Sequence, residues 1–176
     1  MELKELYQEI ILDHGINPRN KGQCKEYNRE AKGHNPLCGD KIHLFLKLSS
    51  EKKIENVSFE GEGCAISLAS ASILTETIKG KEFNVASKII NDFLSMIKTQ
   101  TKISINSLNE DQITTIMSLS GVKQFPMRVK CATMAWHTLN AAMEKKMTDL
   151  KIKIIDEIKK IYDPEIPVNI YELGLI

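Results

Sequence analysis

A chain of 176 residues, 42% of them hydrophobic, is long enough to fill one core and to carry a short appendage. Its formal net charge of +1 excludes the strong basic field of a nucleic-acid binder. The most apolar stretch, Cys64 to Leu74, is too short and too rich in serine and alanine to cross a bilayer, so neither nucleic acid nor membrane is an expected partner.

Met1 to Tyr7 alternates charged and apolar residues, unlike a secretory signal, which points to a cytoplasmic protein. In a reducing compartment, four cysteines point to metal or redox chemistry rather than to disulfides. Leu3, Leu6, Tyr7, Ile10 and Ile11 recur at helical spacing and predict a first helix ending near His14-Gly15. The turn Asn17-Pro18-Arg19-Asn20 follows, where Pro18 stops the helix. From Lys41 the period becomes two, with Ile42, Leu44, Leu46 and Leu48 on one strand face and Lys41, His43, Phe45 and Lys47 on the other. Ser49 to Lys53 is polar, and Ile54 to Gly61 reads as the returning strand of an antiparallel hairpin. A weaker strand is expected between Lys25 and Ala31, giving a sheet of about three strands.

After Gly63 the pattern is helical. Cys64 to Lys79 predicts a closely packed helix stopped by Gly80. Phe83 to Lys98 and Leu108 to Leu119 predict two more. Phe125-Pro126-Met127-Arg128 interrupts the pattern, and Cys131 to Met147 predicts the last helix of the main domain. Strands followed by helices imply an α+β domain, a small antiparallel sheet with helices packed on one face.

Three segments carry chemistry: Gly33-His34-Asn35-Pro36-Leu37-Cys38-Gly39-Asp40, Gly61-Glu62-Gly63-Cys64-Ala65-Ile66-Ser67, and Arg128-Val129-Lys130-Cys131-Ala132. Cys64 and Cys131 are each expected to open a helix, where free amides and the macrodipole favour a thiolate. Cys38 and Asp40 share one loop and can offer sulfur and carboxylate to the same ion. Three thiolates and one carboxylate suit tetrahedral zinc. The spacing alone is no zinc-finger pattern, and three buried structural thiols fit it as well. Cys24 reads as an incidental, half-exposed thiol; His14 and His34 as turn residues; His43 as a solvent-facing strand residue; His137 as a core or interface group. None of these is assigned to the metal.

The three segments, in this order, resemble the U-type family of iron–sulfur biogenesis proteins, which includes IscU, the N-terminal domain of NifU, and SufU. Leu12-Asp13-His14, Asn17-Pro18-Arg19-Asn20-Lys21-Gly22 and Ala135-Trp136-His137-Thr138-Leu139 share the likeness, which spans roughly residues 3 to 147. Cys64 follows Cys38 by 26 positions, as throughout the family. Cys131 follows Cys64 by 67, longer than in IscU, and Lys130 stands where IscU has histidine; both features resemble the SufU branch. The resemblance implies Zn2+ held by Cys38, Asp40, Cys64 and Cys131, with Cys38 the sulfur acceptor. It implies Arg128 beside the site in gating or charge balance. It also implies a SufS-type cysteine desulfurase as donor and a downstream Fe–S scaffold as recipient. The alternatives are a scaffold holding a [2Fe–2S] cluster on the same ligands and a non-catalytic adaptor in which zinc only supports the fold.

Lys145 to Asp149 is an expected boundary, with the U-type domain over 1–148 and a separate helix from Leu150 to Ile161 beyond it. Ile161 to Ile176 resembles the opening of a small SufT-like domain, so 149–176 reads as an incomplete SufT-like segment.

Overall fold

The computed structural model describes residues 3–99 and 108–158, and of Leu3 and residues 145–158 the backbone alone. The elements are α1 (Leu3–Ile16), β1 (Arg29–Asn35), β2 (Asp40–Leu48), β3 (Ile54–Glu62), α2 (Ala65–Ile78), α3 (Phe83–Thr99), α4 (Glu110–Ser118), a 3-10 turn (Leu119–Gln124) and α5 (Pro126–Ile158). The three strands form one antiparallel sheet in the order β1-β2-β3. This is the expected α+β architecture.

The period-two reading of β2 holds, because Ile42, Leu44, Leu46 and Leu48 are all buried. Leu44 pairs with Phe59 and Leu46 with Val57 across the β2–β3 ladder, so the inward residues of both strands form one apolar layer. Phe45, expected on the outer face, is nonetheless buried, with the rings of Tyr27 and His43 against it at 4.9 and 4.1 Å. The segment joining α1 to β1 covers this face: Gly22 and Asn20 pair with Phe59 through the main chain, and the Cys24 N–H donates to Ser58 Oγ. Cys24 is thereby buried, which corrects the half-exposed reading.

β1 begins at Arg29 rather than Lys25. Its sequence has no apolar alternation, and what makes it a strand is its pairing with β2 from Arg29↔Leu46 to Asn35↔Asp40. A propensity reading has no access to that partner.

α2 is buried nearly all round, and its small polar residues are satisfied individually. Ser70 Oγ accepts from Trp136 Nε1 at 2.9 Å and donates to the Ala132 carbonyl at 2.5 Å. Ser72 Oγ takes the Arg19 N–H at 2.8 Å and lies 2.8 Å from His14 Nδ1. His14 is thus the structural residue expected, with burial as the main influence holding its pKa below the usual histidine value. α3 turns Ile89, Ile90, Phe93, Met96 and Ile97 inward, and Phe93 stacks on Trp136 with ring centres 3.8 Å apart. α4 starts at a capping box between Asn109 and Gln112.

α5 starts at Pro126, five residues before Cys131. The proline taken as an interruption is instead the first helical residue, where its fixed φ fits and its missing N–H costs nothing. Trp136 and Leu139 face inward, while His137 is exposed, so of its two readings, core or interface, the core one is corrected. The expected separate helix from Leu150 is also corrected: α5 runs unbroken through Lys145 to Asp149 and on to Ile158. Two compact units are distinguished, Met1–Ala142 and Met143–Ile176. The described part of the second is helical, and the tail beyond Ile158, expected to be SufT-like, lies outside the described residues. Among the described residues no helix is long and apolar enough to cross a membrane.

Candidate metal centre

β1 and β2 are joined by four residues, Pro36-Leu37-Cys38-Gly39, between the register pair Asn35 and Asp40. The Cys38 N–H donates to the Asn35 carbonyl at 3.3 Å, closing a turn with Pro36 at its second position. Gly39 has φ of 72°, a left-handed conformation that glycine adopts without strain. The loop therefore delivers Cys38 at its tip and Asp40 at its foot, the latter already in β2.

One sulfur each from Cys38 and Cys131 and one carboxylate oxygen of Asp40 lie within 4.8 Å of one another. These donors come from opposite ends of the domain sequence. Asp40 and Cys131 have no solvent exposure, whereas Cys38 is half-buried. Cys64 stands outside this three-residue cluster but is attached to it. It is the N-cap residue of α2, its side chain makes no capping bond, and its main-chain N–H donates to Asp40 Oδ1 at 2.9 Å. Gly63 permits this approach: a Cβ there would lie 2.5 Å from Asp40 Oδ1 and 3.0 Å from Asp40 Cβ. Cys131 is not at a helix start as expected but one turn and a half inside α5, close to the Met127 carbonyl.

Asn35, absent from the sequence reading of the site, is part of it. Its side chain is buried and donates to Asp40 Oδ2 at 3.1 Å and to Cys131 Sγ at 3.5 Å. The signal that could have found it is its place next to Pro36 in the loop motif, since an asparagine opening a turn commonly bonds back to its own loop.

Burial raises the Cys131 thiol pKa above the ordinary cysteine value, followed by hydrogen bonding to Asp40 and Cys38 and the charge of Cys64. Arg128 is exposed beside the cluster, and its pKa is raised first by a hydrogen bond to Cys131 and then by the charges of Cys64 and Cys38. Lys130 is exposed on the same helix, and no described contact draws it to the site.

The donor set fits a divalent metal. A wholly buried carboxylate between two thiols is an expensive group to leave without a counter-charge. Thiolate and carboxylate donors this close are what Zn2+ takes, and the amide bonds from Asn35 and Cys64 orient Asp40 as outer-shell partners orient metal ligands.

Residues 6–132 match the family model described as the NifU-like N terminal domain. The zinc-dependent sulfurtransferase SufU of Bacillus subtilis is 40% identical over 147 residues, 82% of this chain and 93% of that protein. The iron–sulfur cluster assembly scaffold protein IscU of Streptococcus pyogenes is 34% identical over 157 residues, 86% of this chain and 94% of that protein. In three dimensions the chain is similar to a putative iron–sulfur cluster assembly scaffold protein for the SUF system from Fervidobacterium islandicum, with TM-score 0.67 and 32% identity over 79% of this chain and 97% of that one. With matched residues across most of its length and a shared fold, the chain belongs to the NifU-like N-terminal domain family.

Proposed function

We propose that this chain is a zinc-dependent sulfur acceptor of iron–sulfur cluster assembly, taking persulfide sulfur from a SufS-type cysteine desulfurase in the cytoplasm and passing it to a downstream scaffold. The observation that carries the reading is the convergence of Cys38, Asp40 and Cys131, with Cys38 the accessible member. The sulfurtransferase from Bacillus subtilis supports it, as do Lys130 and the long spacing from Cys64 to Cys131.

Cys38, Asp40 and Cys131 would hold the zinc, with Cys64 as fourth donor. Zinc, when bound, keeps the thiols ionised and shielded from oxidation at neutral pH. Released to act, the Cys38 thiolate attacks the outer sulfur of the donor persulfide. A new S–S bond forms on Cys38, the donor's S–S bond breaks, and the donor cysteine leaves as a thiolate. Arg128, exposed beside the thiols, offsets the negative charge that gathers there.

The test is metal content and desulfurase turnover. Protein purified without air is expected to carry about one zinc per chain and no visible absorption, since Zn2+ is d10. It is expected to raise the turnover of a SufS-type desulfurase. Stoichiometric iron and sulfide with a coloured protein would replace this reading with that of a [2Fe–2S] scaffold; the Streptococcus pyogenes relative is named as an iron–sulfur cluster assembly scaffold. Zinc without any effect on a desulfurase would leave the adaptor reading.

The proposed domain division has its own test. All the candidate donors lie within Met1–Ala142. A chain shortened to end at Thr148 is expected to keep its zinc and its effect on the desulfurase. Loss of either would make the SufT-like segment part of the working domain.

A further inference from the structure

The carboxamide of Asn35 makes three hydrogen bonds, two as donor and one as acceptor, and the pattern is asymmetric. Oδ1 accepts from the Leu37 N–H at 3.3 Å, and the two protons of Nδ2 go to Asp40 Oδ2 at 3.1 Å and Cys131 Sγ at 3.5 Å. The Leu37 N–H fixes which way the amide points, because a flipped amide would set donor against donor. Asn35 meets Cys38, by contrast, through the main chain, as the acceptor of the Cys38 N–H.

One buried side chain thus ties the foot of the ligand loop to α5 across 96 positions of sequence. Asp40 is held further by the Cys64 N–H, and Cys131 by the α5 backbone around it. The thiols of Cys38 and Cys64 both lack an Asn35 side-chain bond, but Cys64 is tied through its N–H to the clamped Asp40, which leaves Cys38, half-buried at the loop tip beside the left-handed Gly39, as the donor free of the clamped pair.

We propose that Asn35 is a positioning residue that clamps Asp40 and Cys131 and so makes Cys38 the donor that is released. This rests on the reading of the cluster as a metal centre with Cys38 as sulfur acceptor, and it adds what selects Cys38. A hydrogen bond to a coordinating thiolate draws electron density from sulfur, so it raises the energy of sulfur-to-metal charge transfer; the gain in affinity comes separately, from holding the two ligands in place before the metal binds.

The experiment replaces zinc with Co2+ in the full chain and compares wild type with Asn35→Ala. The near-ultraviolet charge-transfer band is expected to move to lower energy in the variant while the visible bands stay tetrahedral. Affinity for Zn2+ by chelator competition is expected to fall about 10- to 100-fold, the range for losing an outer-shell partner. Alkylation of the zinc-loaded proteins, read by peptide mass, is expected to favour Cys38 over Cys131 in wild type and to lose much of that preference in the variant. An unmoved charge-transfer band together with an unchanged Cys38 preference overturns the proposal. Asn35→Asp, equal in size but lacking both donors, is measured alongside; if neither variant folds, Asn35 is a folding determinant and the proposal falls. Should wild type fail to bind Co2+ tetrahedrally, the metal-centre reading itself fails, an outcome distinct from wild-type binding with an unmoved band in the variant.

Discussion

Cys38→Ser is expected to reduce desulfurase stimulation to the level seen without the protein, and to leave no persulfide on the chain. A serine hydroxyl is not ionised near neutral pH and forms no persulfide, so the covalent step has no acceptor. The three candidate thiols differ in what surrounds them. Cys131 has no solvent exposure and sits inside α5, out of reach of a sulfur carried on another protein. Cys64 caps α2, and its N–H anchors Asp40, so moving it disturbs a second donor. Cys38 stands half-buried at the tip of a four-residue loop. Exposed Leu37 is beside it, and Met127 and Phe125 are exposed near Arg128, which gives a partner apolar surface to settle on. With metal chelated from both proteins, Cys38→Ser should alter stability by only about 0.5 kcal/mol, as for partly exposed loop positions. Loss of transfer would then reflect chemistry rather than folding. Mass spectrometry that finds the persulfide on Cys64 or Cys131 in wild type would sink the assignment. So would a Cys38→Ser protein that still stimulates the desulfurase.

Much of this arrangement is legible in the sequence because the relevant forces are local. The alternation Ile42, Leu44, Leu46, Leu48 is the pleat of β2, and Ile89, Ile90, Phe93, Ile97 is the inner stripe of α3. Pro36 and Gly39 announce the turn that presents Cys38. What the sequence hides is decided across the chain. β1 has no strand pattern of its own and exists through β2. Phe45 looks like a solvent-face residue until Tyr27 closes over it. The start of α5 is misread because a proline that ends one helix begins another equally well. At the site, the motifs point to Cys38, Asp40, Cys64 and Cys131, and the structure brings all but Cys64 into one cluster. The motifs are silent on Asn35, whose bond to Cys131 spans 96 positions. They also give no hint that Cys64 enters the site first through its amide, a contact that depends on Gly63 having no side chain.

The second large effect is expected at Asp40. Asp40→Ala should weaken zinc binding about 100-fold and remove most of the stabilisation that zinc provides. The carboxylate is wholly buried, and as a hard donor among thiolates it serves the ion while giving the Cys64 N–H and Asn35 their acceptor. The size follows from linkage. Free zinc at a thousand times its dissociation constant stabilises the native state by about 4.1 kcal/mol, and a ligand loss that weakens binding ~100-fold leaves about 1.4 at the same concentration. The difference, about 2.7 kcal/mol, corresponds to a fall in Tm of roughly 5 to 11 °C for a domain of this size. The metal-free proteins separate this from ordinary packing. Stripped of zinc, the wild type keeps a carboxylate without a counter-charge in a buried site, so removing it relieves a cost, while the orphaned Cys64 N–H and Asn35 Nδ2 each add one of about 1–3 kcal/mol. These two effects oppose each other, so the gap between wild type and Asp40→Ala should narrow sharply when both are measured with a strong chelator. Thermal unfolding with and without chelator checks this. A Tm gap as large without zinc as with it would show that Asp40 holds the loop rather than the metal, and the site would lose its oxygen donor.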